Sequence, residues 1–181
     1  MKTTILEKNK EQLSTAEFLE KFRTELETTF NRKSEIEELT DLMAKNPVDK
    51  FIISEKPEVP VCQGDLLIWS ELTDEFKENF KKVTITGSAD NNVLQEDDSI
   101  TGDHELVPLS NAKYTLETGT FIPSILEGRL WGSNQYSCKI LTIDSPFVVK
   151  HREHGNITFL TPGTYMICSS LDSETLSRMR D

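Results

Sequence analysis

Val61-Cys62-Gln63-Gly64-Asp65-Leu66-Leu67-Ile68-Trp69 is the stretch where the chain changes character. Residues 1–58 contain no glycine, histidine, cysteine, tryptophan or tyrosine, and all eight glycines and all three histidines come after them. From Val61 onward short apolar runs alternate with glycine-marked turns, the pattern of β-strands. Strands are expected near 61–69, 82–86, 92–95, 104–109, 112–117, 136–143, 146–150, 156–160 and 164–169, with a helical turn inserted at Thr73 to Lys81. Many short strands with little helix between them imply a mainly β fold, an antiparallel jelly-roll or barrel-like domain closed enough to manage its edges. The composition break divides the chain into 1–58, a helical arm and linker, and 59–181, an antiparallel β domain with a short C-terminal helix capped by Asp172.

The first region reads as a helical hairpin. Ser14 with Glu17, and Ser34 with Glu37, are capping boxes that start helices at defined residues. Phe18, Leu19, Phe22, Leu26 and Phe30 then recur at helical spacing, and Ile36, Leu39, Leu42 and Met43 form a shorter stripe that Asn46-Pro47 ends. So short a hairpin cannot bury both stripes by itself. Phe18, Phe22, Leu26 and Phe30 are therefore candidates for contact with a protein partner or a second copy of the chain, with ordinary packing as the alternative. A brief β-like run, Phe51-Ile52-Ile53, precedes the extended linker around Pro57 and Pro60. The insertion at 118–135 carries Phe121, Leu130 and Trp131, which either tuck under the β domain or face a partner.

At 181 residues and 20.6 kDa the chain has the size of one moderate domain. No run of eighteen apolar residues occurs, which excludes a helical membrane span, and the N-terminus lacks the basic-plus-apolar pattern of a signal peptide. A soluble, intracellular protein is expected. Thirty-one acids against twenty bases give a net charge of −11, which repels a phosphate backbone, so direct nucleic-acid binding is disfavoured. Most of that acidity lies after residue 58, where ten bases meet eighteen acids. An acidic face can also imitate DNA and occupy a basic site on another protein. Cys62, Cys138 and Cys168 are odd in number and far apart, which fits buried free thiols in a reducing compartment.

The histidines carry the chemical potential of the chain. His104 lies in Thr101-Gly102-Asp103-His104-Glu105, and His151 and His154 lie in Lys150-His151-Arg152-Glu153-His154-Gly155. If adjacent strand ends bring the two clusters together, His104, His151 and His154, with Glu153 as a further ligand or general base, would make a site for one divalent transition metal. On a straight strand His151 and His154 point to opposite faces, so both reach one ion only through a turn or bulge, and Glu153 is the better strand partner of His151. The competing role is structural: imidazoles beside carboxylates also hydrogen-bond the backbone at glycine-marked turns. Dinucleotide-binding, Walker, nucleophile-elbow and Cys-x-x-Cys motifs do not occur.

Gln63-Gly64-Asp65-Leu66-Leu67-Ile68, Thr101-Gly102-Asp103-His104 and His151-Arg152-Glu153-His154-Gly155-Asn156-Ile157, followed by Pro162-Gly163-Thr164-Tyr165, together resemble a family of small proteins encoded by bacteriophages, prophages and plasmids. Its members read QGDxLL, TGHxH and HxEHxxI...PGxY, and the resemblance covers roughly residues 61–169. In the middle motif the two family histidines fall on Asp103 and Glu105, either side of His104, and those carboxylates can serve as oxygen ligands. The resemblance implies a viral or mobile-element origin and a compact β fold, and supplies no reaction.

These readings converge on a non-enzymatic accessory protein, in the virion or the host cytoplasm, that binds protein partners such as capsid proteins or itself. It needs no cofactor, or holds one divalent transition metal. The rival is a cupin-like metal-dependent enzyme built on the same histidines, and the third possibility is an acidic DNA-mimic inhibitor.

Overall fold

Two antiparallel-rich sheets pack face to face in the computed structural model, which describes residues 33–44, 50–95, 103–122 and 136–169. The strands are β1 (Lys50–Ile53), β2 (Val61–Gln63), β3 (Leu66–Ser70), β4 (Thr84–Ser88), β5 (Val93–Gln95), β6 (His104–Pro108), β7 (Tyr114–Phe121), β8 (Tyr136–Ile143), β9 (Phe147–Lys150), β10 (Asn156–Phe159) and β11 (Gly163–Ser169). Two helices are described, α1 (Lys33–Ala44) and α2 (Asp74–Phe80). One sheet runs β1-β10-β9-β6-β5 and the other β2-β3-β11-β8-β7-β4. Every pairing is antiparallel except β1 with β10, which is parallel.

The mainly β expectation is met, but the barrel is not closed. Each sheet keeps two edge strands, and the sheets meet through side chains rather than through a shared ladder. The run read as one strand at 61–69 is a hairpin instead, with Val61 opposite Ile68 and Gln63 opposite Leu66. Gly64 makes the reversal possible: its φ of 56° lies in the left-handed region that glycine enters without a Cβ penalty.

Alternation along the strands sorts the side chains. Leu66, Ile68, Leu106, Leu141, Phe147, Val149, Ile157, Phe159, Tyr165 and Ile167 point between the sheets and are buried. Phe147 stacks on Phe159 at 4.8 Å, and Tyr165 meets both rings edge-on while its hydroxyl donates to the Thr161 carbonyl. The opposite faces are also covered. Leu39 of α1 is 1% exposed and packs with Ile52, Leu109, Val148 and Leu160 on the outside of the first sheet. Glu38 secures the helix there by accepting from the Ser110 amide at 2.7 Å and its hydroxyl at 2.8 Å. Phe76 of α2 packs with Trp69, Phe121, Ile140 and Met166 on the outside of the second sheet, and Thr73 caps that helix by accepting from the Phe76 amide.

α1 and β1 both precede residue 58; β1 is an edge strand of the first sheet and α1 packs on its outer face. Phe121, a candidate partner contact, is 2% exposed and lies edge-on to Trp69 at 6.1 Å, so its ring belongs to the packing of this face. Phe18, Phe22, Leu26 and Phe30, the Ser14 helix, Leu130, Trp131 and the helix expected from Asp172 lie outside the described residues.

Candidate metal centre

The three histidines converge at one end of the first sheet. β6 and β9 pair in antiparallel register, Glu105 with Lys150 and Leu106 with Val149, and both Leu106 and Val149 face the core. His104 has the parity of Leu106, and His151, one step past the end of β9, has the parity of Val149. The two imidazoles therefore stack across the strands with centroids 4.2 Å apart. β9 stops at Lys150 and the chain turns before β10, with Gly155 at φ 74°. That turn brings His154 back over His151 at 4.4 Å and within 5.9 Å of His104. The turn required for His151 and His154 to share a target is thus present.

One potential ligand atom from each ring lies within 4.8 Å of the others. His104 and His151 are buried and His154 is half-buried. Three nitrogens on one tetrahedral zinc sit about 3.4 Å apart, and the three ring planes here lie within 26° of parallel, so closing on an ion requires the rings to turn toward a common point as well as to approach. Neutral imidazoles suit zinc, copper, nickel or cobalt rather than magnesium or calcium.

The hydrogen bonds fix the tautomers of two of the rings. His104 Nε2 donates to the backbone carbonyl of Gln63 at 2.9 Å, which places its lone pair on Nδ1 and fixes the ring as a ligand-orienting carbonyl does in metal sites. His151 Nδ1 accepts from the amides of Glu153 at 3.2 Å and His154 at 3.1 Å, so its proton sits on Nε2. This is the structural role weighed against metal binding, and His151 performs it. Ligation through Nε2 moves that proton to Nδ1 and gives up two amide bonds. The loss is about 1 kcal/mol each, against a binding free energy on the order of 10 kcal/mol for a structural zinc. A metal at this site has to offset that loss, and the turn has to respond.

Glu153 does not join the cluster as a ligand. Its side chain is exposed, and only its amide touches His151. The expectation of a shared face assumed a continuing strand, which the turn removes. Glu105 is half-buried and forms a 3.8 Å ion pair with Lys150 on the other face of the ladder.

Gln63 is the residue that sequence reasoning missed. It is 3% exposed, at the end of β2 in the second sheet, and its Nε2 donates to the carbonyls of Val149 and Gly155 in the first. Gln63 therefore holds the two sheets and the histidine turn together. The available signal is a polar residue beside Cys62 at the end of an apolar run.

Comparison with family models, with curated proteins and with solved structures finds no match to this chain.

Proposed function

We propose that this chain is a non-enzymatic accessory protein of a phage or other mobile element, a jelly-roll-like sandwich that holds one divalent transition metal on His104, His151 and His154. The convergence of three imidazoles from β6 and the β9–β10 turn carries this reading. Placed where the two sheets meet at Gln63, the ion acts as a clasp on that end of the sandwich. The family resemblance at 61–169 supports the mobile-element origin, and the stripe Phe18, Phe22, Leu26 and Phe30 is the proposed contact with a capsid protein or a second copy.

Holding a metal is favoured over turning over a substrate because the donors are enclosed: two of the three rings are buried. An enzyme would also want a carboxylate base over the ion, and the Glu153 side chain is exposed. The test is metal content. Full-length protein equilibrated with zinc and dialysed should retain one zinc per chain, and His154→Ala, at the half-buried position, should retain none while keeping its β-rich circular dichroism. A wild-type chain that retains no zinc, or a His154→Ala chain that retains as much as wild type, would overturn the reading.

A further inference from the structure

Resting on the reading of His104, His151 and His154 as ligands, we infer that Gln63 supplies the fourth ligand through Oε1 and so closes the coordination shell of the ion. Two observations bear on that oxygen, and a third places its residue beside the histidines. The Gln63 amide is oriented without ambiguity, because its nitrogen faces two carbonyls, those of Val149 and Gly155, and only N–H can do so. Its Oε1 is then left buried with no hydrogen-bond partner. An unmet acceptor at such a position costs about 1–3 kcal/mol, and a cation removes the cost. Finally, the same residue borders the histidines twice: its carbonyl accepts from His104, and its nitrogen bonds Gly155, the neighbour of His154.

The consequence is functional. Three histidines alone leave an open position, the arrangement that activates water in hydrolytic zinc enzymes. Three histidines with a protein oxygen fill a tetrahedral shell, and a filled shell has structural rather than catalytic use. Gln63 therefore decides between a clasp and a reaction centre. It also joins the second sheet to an ion otherwise held by the first alone, since β2 belongs to the second sheet and β6, β9 and β10 to the first. Gln95, the register partner of His104, has a buried Nε2 with no hydrogen-bond partner, so a buried water spanning the two glutamines is the rival occupant.

Full-length protein loaded with cobalt(II) separates these cases through its visible absorption. A closed shell gives an intense four-coordinate spectrum that excess azide leaves unchanged. Gln63→Leu should then lower zinc affinity roughly 10–100-fold and make the cobalt spectrum azide-sensitive, and Gln63→Glu, which restores an oxygen donor, should recover a spectrum indifferent to azide. A wild-type cobalt spectrum that shifts with azide means an open or water-filled position, and overturns the role of Gln63 while the three-histidine site stands. If the wild-type chain takes up neither cobalt nor zinc, the site and the fourth ligand fail together. The azide test on the wild type depends on no variant folding.

Discussion

The carbonyl of Gln63 accepts the Nε2 proton of His104 at 2.9 Å, and through that bond the edge strand of one sheet sets the orientation of a buried imidazole in the other. A ring held in this way has Nδ1 directed at a fixed point, which distinguishes a prepared ligand from a histidine that merely packs. The neighbouring ring is prepared for a different partner. His151 Nδ1 is engaged by two turn amides.

That difference predicts where metal binding will be felt. Ligation of His151 through Nε2 releases the amides of Glu153 and His154, so zinc should shift their amide resonances and raise their hydrogen-exchange rates, while amides of β8 and β11 stay unchanged. Glu153→Ala should leave zinc affinity within about twofold, because its carboxylate is outside the cluster. Unaltered turn amides in a zinc-saturated sample would place the ion elsewhere.

The packing of α1 makes a second prediction. Leu39 is buried with Ile52, Leu109, Val148 and Leu160 on the outer face of the first sheet. Leu39→Ala should cost about 3 kcal/mol in urea unfolding. A loss below about 0.5 kcal/mol would mean that the helix does not contribute to the folded unit and behaves as a detachable arm.

The cysteines offer a third. Cys138 and Cys168 are register partners on β8 and β11, and Cys62 lies in the same row, separated from Cys168 by Leu67. Burial pushes the Cys138 thiol up to about 12, and burial together with the nearby Cys138 does the same for Cys168, whereas Cys62 is exposed. The thiolate is the reacting form, and at pH 8 it makes up about one part in ten thousand of a thiol with such a pKa. An aromatic disulfide reagent should therefore modify one thiol of the native chain promptly and the other two only on unfolding. Substitution of Cys62 should abolish the prompt phase. Three equal rates would contradict the buried placement of the pair.

The ion pair between Lys56 and Glu71, at 2.8 Å, sets a fourth. The Lys56 ammonium, by hydrogen bond and by charge, holds the Glu71 carboxyl below its ordinary value of 4.5, with smaller help from Thr164. A carboxyl whose folded pKa is depressed stabilises the fold fully above its unfolded pKa and loses that contribution as pH falls through the folded one. Glu71→Gln should thus be less stable than wild type at pH 7 by at most about 1 kcal/mol, since the pair is partly exposed, and the two should converge toward pH 2. A difference that widens in acid would refute this assignment.

Strand extent is legible where a continuous apolar run is bounded by turn residues. The β8 reading at 136–143 coincides with Tyr136–Ile143, an apolar run buried on both faces, with Leu141 and Ile143 toward the other sheet and Cys138 and Ile140 in the outer cluster around Phe76. The hairpin at Gly64 was not readable as such, since Val61 through Trp69 is apolar enough on both sides of the turn to pass for one strand. The meeting of His104 with His151 was a conditional expectation that depended on strand pairing, and the register of β6 with β9 supplies it. The face of Glu153 is not legible from periodicity, because β9 ends at Lys150 and a turn follows. The partners of Gln63 and the cysteine row have a common origin: each depends on which strands become neighbours, a long-range property that local pattern does not contain.

Zinc-edge X-ray absorption on full-length protein carrying one equivalent of zinc tests the central claim most directly. The account predicts a four-coordinate shell of nitrogen and oxygen near 2.0 Å, with the outer-shell scattering of three imidazoles, lost in His154→Ala. A hydrated six-oxygen shell, or sulfur at about 2.3 Å from the cysteines, would contradict it.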